Sequence, residues 1–188
     1  MEPLRLILFL GLVLHKLLWE VLKRRNSMSR RPEVKLGGGW LVKSIKITVL
    51  VFLAFQTLFL DLLPISDQPS QLRIMGTAIY FVGLLTAVIG RMQLGKNWVD
   101  LEDYQVLSYQ SVVTKGIYRY VRHPIYTGDI LLLIGLELAL NSWLVLATFI
   151  PLVIILRQAS AEETLLSKAF PDYPAYCKQT KRFIPFIV

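Results

Sequence analysis

The sequence predicts an all-α integral membrane protein of about five transmembrane helices. Three observations lead there: apolar residues are abundant, they come in long runs, and charge is confined to the segments between those runs. Of 188 residues, 54% are hydrophobic and 18% charged, an apolar share above that of ordinary soluble domains, and the mean hydropathy is +0.52. The formal charge of +8 does not mark a nucleic-acid binder, because the basic residues form no stripe with interleaved aromatics. With one cysteine, Cys177, the sequence holds no internal disulfide and no cysteine-built metal site.

The first run, Leu4 to Leu22, is apolar apart from Arg5, His15, Lys16 and Glu20, enough helix to cross a hydrocarbon core of roughly 30 Å. Glu2 and Arg5 near its start and the lack of a small-residue cleavage site after it mark a retained span rather than a signal peptide. A second run extends from Ser44 to Leu63 and stops at Pro64; a third extends from Leu72 to Ile89. In the third, Gly76, Gly83 and Gly90 recur every seven residues on one face, the pattern that lets helix backbones approach closely in lipid. The fourth run, Pro124 to Gln158, is too long for one crossing and is divided by Asn141 and Ser142, which predicts a helical hairpin with spans of about 17 residues each.

Cations set the expected orientation. Lys23, Arg24, Arg25, Arg30, Arg31, Lys35, Lys43 and Lys46 gather at the junction of the first two runs, which places that loop in the cytoplasm. The next loop carries Asp61, Asp67 and only Arg73, whereas Arg91, Lys96, Lys115, Arg119 and Arg122 follow the third run. The N-terminus is therefore expected outside, with the 91–123 segment and the tail from Arg157 in the cytoplasm. Gly37-Gly38-Gly39 before Trp40 reads as a flexible loop. The chain thus divides into N-terminal membrane helices over 1–93 and a chemistry-bearing core over 94–188.

Within that core, Arg122-His123-Pro124 has a local consequence. Proline pushes the residue before it out of helical geometry yet suits the first turn of a new helix, so His123 belongs at a bend where the fourth span begins. Free N–H groups in that first turn and the positive end of the helix dipole suit an anion, with Arg122 and His123 beside it. Tyr118 and Tyr126 flank the bend and offer flat faces and hydroxyls. Asp129, one turn into the span, either complements the helix N-terminus or faces a site. Glu137 lies near Asn141 and is expected to reach the outer interface, and His15 is expected at an interface.

Gly116-Ile117-Tyr118, then Arg122-His123-Pro124-Ile125-Tyr126, and downstream Glu162-Glu163, Phe170, Tyr173, Tyr176 and Arg182-Phe183-Ile184-Pro185-Phe186 together resemble the isoprenylcysteine carboxyl methyltransferase family and its prokaryotic relatives. The similarity covers Leu94 to Val188. It implies a membrane methyltransferase that uses S-adenosyl-L-methionine, with a cytoplasmic cofactor site formed by the 94–126 segment and the C-terminal tail. The cofactor contacts implied are Gln110, Ser111, Val112, Val113, Tyr118, Arg122, His123, Pro124, Ile125, Tyr126, Glu162 and Glu163. Many family members have histidine where this chain has Gln110, and glutamine does not titrate near neutrality.

A carboxylate in the tail suits a cofactor of net positive charge, accepting from ribose hydroxyls or the ammonium group. The resemblance also implies a substrate-side arginine four residues before the first acid. Arg157 stands five before Glu162, with Gln158 in the expected place, and Arg157 is taken as the candidate catalytic residue. The acceptor implied is lipophilic, a prenylcysteine-type carboxylate, while relatives that methylate phospholipid amines share a similar architecture. Methyl transfer from a sulfonium to a carboxylate needs mainly positioning and desolvation; an amine must first lose a proton. Arg122 to Asp129 also resembles the C-terminal region of NADPH-dependent sterol reductases, a different class of enzyme.

Overall fold

The computed structural model describes residues 2–27, 39–98 and 110–185. The basic residues Arg30, Arg31 and Lys35, the Gly37-Gly38 pair, and Phe186 lie outside the described residues. Those described fold as α1 (Pro3–Ser27), α2 (Gly39–Phe59), α3 (Ser70–Leu94), α4 (Pro124–Ala139), α5 (Phe149–Ala169) and α6 (Tyr173–Gln179), with short 3-10 turns between them. Strand-like pairing among them is limited to two isolated bridges, Pro64 with Ser142 and Val121 with Lys181.

Among the described residues, Ser70–Asn97 and Trp143–Ala169 are long and apolar enough to cross a membrane, and Ser44–Phe59 is a shorter apolar helix. Large apolar side chains such as Leu10, Leu14, Phe52, Phe55, Val82, Leu85, Ile150 and Ile154 are exposed on the outer faces, an apolar surface that lipid covers. The expected helical hairpin forms, with Asn141 at φ 58° in the left-handed region that asparagine tolerates. Its second arm differs from expectation. α5 does not end near Gln158 but continues to Ala169, because no glycine or proline interrupts Ala159 to Ala169 and most residues there favour helix. Glu162 and Glu163 therefore ride on the spanning helix itself and do not fold beneath the bundle from a separate segment.

α3 and α4 form the most extensive helix pair among the described residues, and glycine is the reason. A Cβ at Gly76 would fall on the Leu138–Ala139 backbone, and one at Gly83 on Leu132 and Gly128; Gly128 and Gly135 return the approach against Ala87 and Tyr80. The glycine face read from the sequence is a packing seam. Beside it, Leu8 and Leu12 of α1 join Tyr80, Leu84, Leu132 and Leu136 in the core, and the Tyr80 hydroxyl donates to the Leu8 carbonyl at 2.8 Å.

The Asn141 end of this seam is stitched by polar groups. The buried Arg5 guanidinium donates to the carbonyls of Thr57 at 3.2 Å and Leu60 at 3.1 Å and pairs with Asp61, satisfying the open C-terminus of α2. Glu137 does not reach an interface as expected: it is buried and accepts from the amide of Gln56 on α2 at 2.8 Å. The Asn141 side chain donates to Ser66 O at 2.8 Å and accepts from Ser66 N at 3.1 Å.

Candidate active site

At the other end of the seam, the chain reaches α4 through the turn that the Gly-x-Tyr element makes. Gly116 has φ +64°, and a Cβ there would strike the Gln93 side chain. That same Gln93 accepts from Ile117 N at 2.8 Å, so glycine is required both by the dihedral and by the contact. Tyr118 is thereby turned inward; it is buried and its hydroxyl donates to Gly90 O at 3.2 Å. His123 then takes φ −121° and ψ 55° immediately before Pro124, the first residue of α4, the bend that the His-Pro step predicts.

The tail clasps this bend. Arg122 N donates to Lys181 O at 2.8 Å, His123 N to Arg182 O at 3.1 Å, and Lys181 N to Tyr120 O at 3.0 Å. Glu163 is the centre of the clasp. Its Oε1 accepts from Arg122 Nε at 2.9 Å and lies 3.0 Å from His123 Nε2, while Oε2 accepts from Arg182 Nη2 at 2.5 Å. Arg122 Nη1 also donates to Cys177 O at 3.0 Å and Thr180 O at 2.5 Å. The backbone N–H groups of Arg122 and His123 and much of the Arg122 guanidinium thus hold the tail and Glu163 of α5.

A cleft opens beside the clasp. Gln110, Ser111, Val112, Val113, Tyr118, Arg122, His123, Ile125, Tyr126 and Glu162 all line it. Pro124 is fully buried within the bend, and Glu163 sits behind the wall in the clasp. Arg157 is exposed on α5, while its neighbour Gln158 lines the cleft. Asn97 fixes the cofactor-segment candidates, accepting from Ser111 N at 2.9 Å and, through its backbone carbonyl, from Gln110 Nε2 at 3.1 Å. The Tyr126 hydroxyl donates to Glu162 Oε2 at 3.0 Å, and the Tyr126 ring stacks on His123 at 5.4 Å. Burial pushes the Tyr118 and Tyr173 phenols up, and that of Tyr176 up to about 12, so all three stay protonated near neutrality and act as donors, not bases.

Other walls had no role assigned from sequence. Trp98, in the Leu94–Trp98 stretch, lies under the buried Arg91 guanidinium at 4.2 Å, a cation–π contact, and lines the cleft together with Tyr173, Tyr176 and Trp19 of α1. The two roles open for Asp129 resolve toward the site: it lines the cleft and lies 3.1 Å from His15 Nε2. His15 accordingly has a partner on α4, and Trp19 stacks on its ring at 4.1 Å. The spacing of His15 and Trp19, one helical turn apart, was a visible signal for that pair; nothing local announces Asp129 as the third member.

A family model described as phospholipid methyltransferase matches residues 72–173, more than half of the chain, with nearly all of α3 and all of α4 and α5. The nickel-cobalt-cadmium resistance protein NccN of Alcaligenes xylosoxydans xylosoxydans is 29% identical over 114 residues, 59% of this chain and 52% of that protein. The cobalt-zinc-cadmium resistance protein CzcN of Cupriavidus metallidurans is 32% identical over 80 residues, 40% of this chain and 36% of that protein. The chain thus spans about half, or less, of the length of these relatives. The solved structure of the eukaryotic intramembrane Ras methyltransferase, an isoprenylcysteine carboxyl methyltransferase, matches with a TM-score of 0.58 at 23% identity, over 81% of this chain and 55% of that one. This chain therefore shares the fold of that membrane enzyme. Its glycine-packed helix pair, His-Pro bend and α5 acids fall within the matched region, and the chain belongs to the phospholipid methyltransferase family.

Proposed function

We propose that this protein transfers the methyl group of S-adenosyl-L-methionine to a lipid-borne acceptor at the cytoplasmic mouth of a bundle of five crossings, with the N-terminus outside. The observation that supports this reading best is the convergence of Gln110–Val113, Tyr118 and the Arg122-His123 bend with Glu162, which comes from the separate helix α5, on a single cleft. The donor set fits the cofactor. Trp98, Tyr118 and Tyr126 offer ring faces for an adenine, Gln110 offers an amide, and Glu162 is a half-exposed carboxylate suited to ribose hydroxyls or an ammonium. When bound, the cofactor supplies an electrophilic methyl on a sulfonium. His123 and Glu163 keep the tail closed over the site, and α5 excludes water from one side. Family membership favours methyl transfer over nicotinamide chemistry.

The bilayer side of the cleft belongs to the acceptor. Arg157, exposed on α5 beside the cleft-lining Gln158, is the candidate to hold an anionic group of the acceptor. A prenylcysteine-type carboxylate is one acceptor consistent with the fold. A phospholipid amine is the second, and the charge of the walls favours it: Asp129 and Glu162 present carboxylates, while Arg122 is committed to Glu163 and tail carbonyls. Calorimetric titration of the purified protein with S-adenosylmethionine and with NADPH tests the reading. Binding of the first and not the second is expected; the reverse result overturns it. Reporter fusions at Val188 giving a luminal or periplasmic signal would overturn the orientation.

A further inference from the structure

We propose that Asp129, held in place by His15, is the residue that binds the acceptor's ammonium group and takes its proton, which makes the cleft selective for an amine over a carboxylate. The inference rests on the methyltransferase reading above and adds residues to it.

The placement is the first argument. Tyr126 and Asp129 stand three apart on α4, hence on one face, and both line the cleft. Tyr126 bonds Glu162 on the side of the cofactor candidates, so Asp129 is one turn deeper into the bundle, toward the lipid. An ionisable group within a span is costly and is retained where it has a partner or a task. Asp129 has the partner: His15 Nε2 lies 3.1 Å from its Oδ1, from a helix 114 positions away in sequence. Both side chains are partly accessible, at 22% for His15 and 33% for Asp129. The pair is therefore not sealed in the core, as Gln56 with Glu137 is.

The environment is the second argument. Trp19 stacks on His15 and lines the same cleft as Asp129, so an ammonium entering that cleft finds a carboxylate and an indole, two surfaces that attract cations. A carboxylate acceptor would instead be desolvated against Asp129, like charge against like.

The chemistry closes. A lipid amine is protonated near neutrality and has no free electron pair. Its N–H proton passes to the Asp129 carboxylate, whose other oxygen is held by His15. The nitrogen pair then forms the N–C bond to the transferred methyl while the C–S electron pair returns to sulfur. Asp129 afterwards releases the proton to water on the cleft side. His15 touches no substrate and is a positioning residue.

The test uses the full-length protein in phosphatidylcholine vesicles with labelled S-adenosylmethionine and either an ethanolamine phospholipid or an S-prenylated N-acetylcysteine. Label should enter the amine lipid. Asp129→Asn should lower kcat for the amine about a hundredfold or more, the usual cost of losing a positioned base, with cofactor affinity within about twofold of wild type. Asp129→Glu should recover part of the rate. Independently of turnover, binding of a short-chain ethanolamine phospholipid to the protein loaded with S-adenosylhomocysteine should weaken in Asp129→Asn. His15→Gln, which keeps a donor, should retain more kcat than His15→Leu at equal thermal stability. Label on the carboxylate alone, or an Asp129→Asn variant with wild-type amine kinetics, overturns the inference and leaves the methyltransferase reading standing. A tenfold loss of cofactor affinity in Asp129→Asn also overturns it, by moving Asp129 into the cofactor half. Absence of S-adenosylmethionine binding in the wild type removes both.

Discussion

Each end of the α3–α4 seam is closed by an arginine, and the two arginines face different surroundings. At the Asn141 end, Arg5 turns its donors onto the last carbonyls of α2 and onto Asp61. The neighbouring polar groups, Gln56 with Glu137 and Asn141 with Ser66, bond across elements in the same way. At the His123 end, Arg122 is also engaged, with Glu163 and the tail carbonyls, but the next row of side chains, Tyr126, Asp129 and Glu162, faces a cleft. At both ends the arginine itself is paired, as an inward-turned charge must be. What distinguishes a site from a staple is the second row, where part of the hydrogen-bonding capacity points at open space.

Glu163→Gln should break that comparison most severely. Arg122, His123 and Arg182 converge on one carboxylate that is 12% exposed, and removing one member of a buried ionic cluster costs about 3–5 kcal/mol. The expected outcome is a large fall in Tm in detergent together with loss of S-adenosylmethionine binding by calorimetry. A fall in Tm with unchanged affinity would reduce the clasp to an end cap like that of Arg5. The matched experiment at the far end is Arg5→Met. Loss of hydrogen bonds from a charged group costs about 1.5–3 kcal/mol, so Tm should fall while cofactor affinity stays at the wild-type value. A change in affinity would mean the two ends are coupled through the seam.

Much of this fold was legible from local pattern. The glycine heptad announced the seam, Asn141-Ser142 announced the hairpin, and His123-Pro124 announced the bend, because each depends on sterics within a few residues. The drop in hydropathy after Gln158 predicts a helix end that α5 does not have: the helix continues to Ala169, because the residues beyond Gln158 are more polar but still favour helix. The clasp and the Trp19–His15–Asp129 row were not legible, since their members are brought together by packing: Arg122 and Glu163 are separated by 41 positions, His15 and Asp129 by 114. The same limit explains Arg122. Sequence placed it at an anion site, and only the tertiary structure reveals a carboxylate already beside it.

Glu162→Gln sharpens the comparison within the second row itself. Adjacent to Glu163, it faces the cleft with a 42% exposed side chain, so its loss should spare Tm and weaken S-adenosylmethionine binding. A charge-assisted hydrogen bond is worth about 1.5–3 kcal/mol, a factor of roughly ten to a hundred, and the partial exposure puts the expected loss nearer ten. Equal effects of Glu162→Gln and Glu163→Gln on both Tm and affinity would abolish the division of labour between the two acids.

The smallest expected effect belongs to Tyr126→Phe, and it tests how Glu162 is aimed. The Tyr126 hydroxyl donates to Glu162 Oε2 at 3.0 Å and so links α4 to α5 across the cleft, while the ring lies 5.4 Å from that of His123 at an interplanar angle of 13°. Phenylalanine keeps the ring and removes the link. Stability should change little, because the ring contact survives and the carboxylate is already half in water. Cofactor affinity should fall by about two- to tenfold, the equivalent of one ordinary hydrogen bond at about 0.5–1.5 kcal/mol, since a carboxylate no longer held in one orientation must be ordered on binding. Tighter binding in Tyr126→Phe would carry the opposite meaning: the phenol would then be competing with the cofactor for Glu162, and its hydroxyl would be a gate over the site, not a support for it.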